Sequence, residues 1–187
     1  MLAALERRRA SGERVLPAGA GAAAAGRAVE WGCERAVIAD DPWLDGLGVA
    51  EALSGAGIEV VRWPAGRGWA ELLGLEGPAR TCGVTVPVWG VSGRGTVAIE
   101  PGRAHGRSID VVCSHHLAVL AADRLVPTLA EGLARSFRSG RRPASAVSLV
   151  AGPSRSSDIE KISTLGAHGA YAEHVLIVDG QGPPTAR

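Results

Sequence analysis

The sequence predicts an α/β fold: three layers, with a mixed, mainly parallel sheet flanked by helices. Three observations carry this. The first third alternates apolar strands with Ala-rich or Gly-terminated helical segments, the rhythm of β-α-β units. The middle carries two apolar runs around the turn SGRG (92–95), a hairpin signature that adds antiparallel pairing. The last third runs from an apolar strand through a polar turn, GPSRSSDIE, and a Gly/His loop into the strand HVLIVD.

Taken in order, residues 1–10 form a short amphipathic helix with a basic end, and RVLP (14–17) a short strand. An Ala-rich helix follows over roughly 20–31, and RAVIAD (35–40) is a buried strand. WLDGLGVAEALSGAG (43–57) reads as one helix ending in Gly, and IEVVRW (58–63) as the next strand. Residues 64–80 mix Gly, Pro and Trp in an irregular connection with one helical turn at WAELLGL. CGVTVPVWGVSGRGTVAIEPG (82–102) gives the strand pair, with Pro87 marking an edge or bulge. IDVVCS (109–114) and HLAVLAA (116–122) read as strands, and RLVPTLAEGLARSFRSG (124–140) as a helix with Pro127 in its first turn. ASAVSLVAG (144–152) is a strand, a short helix capped at Ser157 follows, and residues 180–187 form a disordered tail. One domain is expected over 1–187, since no linker composition interrupts it.

Composition excludes several classes. A net charge of +1 provides no basic face for nucleic acid. No run of about 20 apolar residues occurs, so no membrane span is expected, and Glu6–Arg9 break the only N-terminal apolar run, which points to the cytoplasm. Cys33, Cys82 and Cys113 stand singly and lack ligand spacing, so they read as buried free thiols and no metal is expected on this chain. His115 and His116 would point to opposite faces of a strand and could not share a metal, while His105 and His174 lack supporting context. Gly19, Gly21 and Ala24 spell G-x-G-x-x-A, with Asp40 ending the next strand. Pro17 and Ala18 separate that glycine from its strand, so a packing helix is the better reading.

The polar turn concentrates the chemistry. Ser157 and Glu160 have capping-box spacing, and Asp158 and Glu160 fall in a first helical turn, where the dipole favours acids. Arg155 does not fit a plain cap, because a cation beside a helix N-terminus costs about 0.3–1 kcal/mol at an exposed site. With Gly152, Ser154, Ser156 and Ser157 it composes a cradle for a carboxylate or phosphate; a purely structural cap is the other reading. His168, between Gly166 and Gly169 on a tight loop, is either a group titrating near neutrality or a surface histidine. Thr85 and Thr96 follow glycines that would let backbone approach a ligand.

These positions also carry a family resemblance. Gly83-Val84-Thr85, SGRGT (92–96), Ser114-His115-His116-Leu117-Ala118-Val119, Gly152 to Glu160 and Gly166-Ala167-His168-Gly169 resemble the pattern of the LUD-domain family, lactate-utilization protein C type. Three positions depart from that pattern: Gly93-Arg94 replace Glu-Thr, Ser114 replaces a Pro before His, and Ala170 replaces the Pro after His-Gly. The resemblance implies a fold related to the isomerase, CoA-transferase and formyltetrahydrofolate cyclo-ligase group. It also implies an accessory role in oxidising L-lactate to pyruvate beside iron–sulfur partner proteins, with no cofactor on this chain. The ligand-binding set would be Thr85, Thr96, His116, Gly152, Ser154, Arg155, Ser156, Ser157, Gly166, His168 and Gly169, and Asp158, Glu160 and His168 are the catalytic candidates. A stand-alone enzyme acting on a phosphorylated or CoA-linked substrate, or a ligand-sensing module without chemistry, are the rival readings.

Overall fold

The structure is a computed structural model that describes residues 1–63, 68–73, 79–102, 106, 108–137, 145–157, 163–165 and 169–183. It places the chain in the α/β class, with a six-stranded sheet, a four-stranded sheet and a two-stranded ribbon among the described residues in place of the single mixed sheet expected. Six strands form an entirely parallel sheet: β1 (Ser11–Val15), β2 (Arg35–Ile38), β3 (Glu59–Arg62), β4 (Thr81–Thr85), β7 (His115–Ala121) and β12 (Ala172–Val178), in the order β1-β12-β7-β4-β2-β3. The hairpin strands β5 (Trp89–Val91) and β6 (Thr96–Ile99) leave that sheet. They join β8 (Leu125–Val126) and β9 (Ser148–Val150) in a smaller mixed sheet, in the order β8-β5-β6-β9.

Both faces of the parallel sheet are covered, so its central strands are apolar on both sides. One face meets helix α2 (Pro17–Glu30) and α4 (Val49–Gly55), where Ala20, Ala24, Ala28 and Leu53 pack with Ile38, Leu117, Val119 and Leu176. On the other, Ala118, Leu120, Val175 and Ile177 pack with Val97 of the smaller sheet and with Leu5 of α1 (Leu2–Arg7). Further along that face α5 (Trp69–Leu73) and α6 (Ile109–Val112) supply Leu72, Leu73 and Ile109 against Val37 and Val61. Leu129 and Leu133 of α7 (Leu129–Phe137) close the outer side of the smaller sheet over Trp89.

Several expectations are corrected. The helix expected over 43–57 is two, α3 (Pro42–Gly46) and α4, because Gly48 at φ +66° turns the chain between them. Asp41 caps α3 by accepting from Trp43 N–H at 2.9 Å. IDVVCS begins as α6 rather than a strand: Ile109 and Cys113, four apart, are buried while Val111 between them is 43% exposed, which is helical periodicity. The helix expected from Arg124 starts only at Leu129, after a 3₁₀ turn (Ala122–Arg124) and β8. Of the expected tail, residues 181–183 are held: Gly182 N–H donates to Asp123 Oδ1 at 3.1 Å, and Arg124 donates to the Pro183 carbonyl. Residues 184–187 lie outside the described residues, as do 64–67, 74–78 and His105 of the earlier readings.

The G-x-G-x-x-A run lies within the first two turns of α2. A Cβ on Gly21 would stand 2.6 Å from the Gly48 carbonyl oxygen, so this glycine lets α2 approach the α3–α4 connection.

Candidate functional site

Parallel pairing of β7 with β12 sets His116 opposite Glu173, on the face turned toward the smaller sheet. Their side chains are 0% and 1% exposed. His116 Nε2 is hydrogen-bonded to Thr85 Oγ1 at 2.8 Å, and His116 Nδ1 lies 3.9 Å from Glu173 Oε1. Gly152 N–H donates to Glu173 Oε2. Glu173 Oε1 has no hydrogen-bond partner among the described residues. Burial pushes the Glu173 carboxyl up to about 7; the Gly152 N–H opposes this and the nearby Asp110 charge adds to it. Asp110 of α6, 4% exposed, is itself pushed up by burial, against the pull of a backbone hydrogen bond. The hydroxyl and imidazole are thus hydrogen-bonded to each other, and the carboxyl, raised toward neutrality, stands beside the ring without a direct bond to it.

A cavity of about 320 Å³ opens beside these groups, between the ends of the parallel sheet and the smaller mixed one. Asp110, Val111, His116 and Glu173 line it on one side, and residues 148–152, Ser154, Gly169 and Ala170 on the other. Gly152 sits at φ +100°, and a Cβ there would stand 2.5 Å from the Arg8 carbonyl oxygen, so only glycine fits. A Cβ on Gly169 would stand 3.0 Å from Ser154 Cβ. Ser154 N–H donates to the Ala170 carbonyl at 2.9 Å, and Tyr171 N–H to that of Ser114 at 2.7 Å. The two glycine-containing motifs therefore meet each other and the start of β7 around one opening.

Of the residues singled out from sequence, Thr85, His116, Gly152, Ser154 and Gly169 come together here. Arg155, Ser156 and Ser157 are in extended backbone. They form β10 (Arg155–Ser157), which pairs antiparallel with β11 (Ser163–Leu165), and the short helix expected after Ser157 falls on 158–162, outside the described residues. Thr96 lies in β6, away from the cavity; its neighbour Gly95, at φ +62°, makes room for the backbone of Ala4 and Leu5 instead. Asp158, Glu160, Gly166 and His168 lie outside the described residues.

Sequence reasoning missed Glu173 and Asp110. A signal for Glu173 existed: by strand alternation it shares its face with Val175 and Ile177, which are core residues. The location also differs from expectation, because His116 and Glu173 lie at the N-terminal ends of their strands, whereas open parallel sheets place ligands at the carboxyl ends. His174, for which the sequence offered no context, is 1% exposed, with Nδ1 bonded to Ser11 Oγ at 2.8 Å and Nε2 3.3 Å from Glu13 Oε1. Burial lowers its pKa to about 4.

Among the described residues no group of three or more His, Cys, Asp or Glu side chains could hold a metal ion, and no helix is long and apolar enough to cross a membrane.

Comparison with known proteins bears on these same segments. The chain is similar to the uncharacterized protein YkgG of Escherichia coli (strain K12), 31% identical over 153 residues, which is 80% of this chain and 65% of that protein. It is 27% identical over 153 residues to lactate utilization protein C of Halalkalibacterium halodurans, covering 80% of this chain and 65% of that one. The chain thus spans just under two thirds of the length of these relatives. In fold it matches the crystal structure of a DUF162 family protein from Deinococcus radiodurans, with a TM-score of 0.60 and 23% identity over 95% of each chain. The family model of the LUD domain matches residues 38–178, which contain β3 through β12 and Thr85, His116 and Glu173, and the protein belongs to the LUD-domain family.

Proposed function

We propose that this chain is an accessory component of an L-lactate oxidation system and binds a small anionic or acyl ligand in the cavity beside Glu173. In this reading the electrons leave lactate through iron–sulfur clusters of partner proteins in the cytoplasm, and this chain has no redox centre of its own. Relatives named lactate utilization protein C support the assignment to lactate metabolism. The observation that carries the ligand site is a buried carboxyl, Glu173, whose Oε1 has no hydrogen bond among the described residues and borders an opening of about 320 Å³. That volume lies at the small end of ligand clefts, which span roughly 300–1,000 Å³.

The chemistry of the lining sets the mode of binding. Asp110 and Glu173 would repel a carboxylate if both were ionised. A Glu173 that titrates near 7 can instead take up a proton and donate a hydrogen bond to the ligand, with His116 beside it. Binding of lactate or pyruvate is therefore coupled to proton uptake. Calorimetric titration of the purified chain in two buffers of different ionisation enthalpy measures this directly. The expected outcome is binding that strengthens from pH 8 to pH 6 with net proton uptake, lost in Glu173→Ala. Absence of binding by every small carboxylate at both pH values overturns the ligand assignment. Lactate oxidation by the isolated chain overturns the accessory assignment.

One observation favours a second reading. A carboxyl near neutrality beside an imidazole and a hydroxyl is an acid–base pair, which a stand-alone enzyme on a phosphorylated or CoA-linked substrate would use, in keeping with the implied kinship to the isomerase and CoA-transferase group. Turnover of such a substrate by the isolated chain, abolished by Glu173→Gln, would decide for it.

A further inference from the structure

The opposite face of the parallel sheet carries a second cluster of reactive groups. Cys33 follows a turn at Gly32 (φ +67°) just before β2 and retains 6% exposure. Its Sγ lies 3.6 Å from Nδ1 of His115, and its side chain is also hydrogen-bonded to that of Cys82. His115 pairs directly with Cys82 across β7 and β4, so three residues from three separate segments share one contact. His115 is fixed from two sides: the Trp31 ring stacks on it at 5.0 Å between centroids, and Ser114 Oγ bonds Nδ1 at 2.8 Å.

The two thiols are electrostatically unequal. The Cys82 thiol, then the His115 ring and the Arg80 charge, hold Cys33 below the usual thiol range, at about 6, against the effect of burial. Cys82, hydrogen-bonded to Cys33 and buried, is pushed well above that range. Cys113, 1% exposed, is pushed up to about 12 by burial, with a smaller contribution from the Cys33 and Asp110 charges. The groups that face Cys33 are thus Cys82 from β4, His115 from β7, Arg80 ahead of β4, and Cys113 at longer range.

We propose that Cys33 is an oxidation-sensitive nucleophilic thiol, positioned by His115, that reacts with hydroperoxides and is resolved by Cys82 into an intramolecular disulfide. In the first step the Cys33 thiolate attacks the terminal peroxide oxygen. An S–O bond forms, the O–O bond breaks, and the leaving oxygen departs as water or alcohol after taking a proton. Sulfur is oxidised to the sulfenic acid and the peroxide is reduced. In the second step the Cys82 sulfur attacks the Cys33 sulfur. An S–S bond forms, the S–O bond breaks, and water leaves with the Cys82 proton. The lactate-ligand reading of the other face plays no part in this inference.

The test uses the native full chain. Iodoacetamide labelling followed site by site by mass spectrometry should modify Cys33 on the order of ten-fold faster than Cys82 or Cys113 at neutral pH. The rate should follow a titration whose midpoint moves upward in His115→Gln; a merely packed thiol would leave that midpoint unmoved. Hydrogen peroxide should yield a Cys33–Cys82 cross-linked peptide that has lost two hydrogen atoms, and in Cys82→Ser a sulfenic acid on Cys33 trapped by dimedone. Labelling of Cys33 no faster than Cys113, or peroxide treatment that leaves Cys33 and Cys82 unlinked, overturns the proposal.

Discussion

Glu173 and His116 face one another across the β7–β12 pair at 3.9 Å, with both side chains essentially without solvent contact. An acid so placed is more easily protonated than in water, because burial disfavours its charged form more than the Gly152 N–H can compensate. The folded protein therefore binds a proton at Glu173 between its ordinary value of 4.5 and about 7, where the unfolded chain does not.

The sign of the resulting pH dependence is fixed. Stability contributed by Glu173 is fully present below about 4.5 and lost as pH rises through about 7. His174, lowered from 6.5 to about 4, acts in the opposite direction over an overlapping window. Comparison with Glu173→Gln isolates the acid, since glutamine keeps an acceptor for the Gly152 N–H. The variant should be more stable than wild type at pH 8 by roughly 2–3 kcal/mol, and the difference should vanish toward pH 4. Urea unfolding at several pH values measures it.

Gly152→Ala should destabilise the protein by at least about 2 kcal/mol, because the positive φ and the approach of the Arg8 carbonyl leave no room for a methyl group. Thermal unfolding checks the loss. In the same variant the Glu173 titration, followed by NMR of its side-chain carboxyl, should move upward as its N–H donor is displaced.

Gly132 in α7 reverses the usual rule for helices. Glycine to alanine in a helix interior generally stabilises by about 1 kcal/mol. Here the added Cβ would stand 2.5 Å from Trp89 Cε3, so Gly132→Ala should cost about 1–3 kcal/mol in denaturant unfolding.

Ser136→Ala, one helical turn further on, should cost about 1–3 kcal/mol for a different reason. Its hydroxyl accepts from the Trp89 indole N–H at 2.9 Å, and the variant leaves that buried donor unsatisfied. Trp89→Phe in the Ser136→Ala background should remove most of the coupling, which a double-mutant cycle reads out.

Most strands of the parallel sheet were legible because each is a local pattern, with apolar runs at 36–38, 117–121 and 175–178, and so was the long Ala-rich helix, although Pro17, read as a strand end, opens it. The separation of the hairpin into its own sheet was not, because β5 and β6 pair with β8 and β9, contacts that no local period encodes. Ile109–Val112 misled for a related reason. Its β-branched composition suits a strand, but Gly83 lacks a Cβ where one would stand 2.4 Å from the Ile109 carbonyl oxygen, and this lets a helical turn settle on β4. At the site, Gly152, Ser154 and Gly169 were visible as motif residues. Glu173 was hidden because its meaning depends on which strand lies beside β12.

β7 is buried along both faces from His116 to Ala121, so hydrophobicity alone would tolerate a slip of one residue against its neighbours. What distinguishes the correct alignment is polar: Ser114 Oγ donating to the Thr81 carbonyl at 2.8 Å, and His116 Nε2 meeting Thr85 Oγ1. The groups that build the candidate site are thus also the registration pins of the central strand. A variant that removes both, such as Thr85→Val with Ser114→Ala, would lose the instruction that tells β7 which of two consecutive histidines belongs on which side.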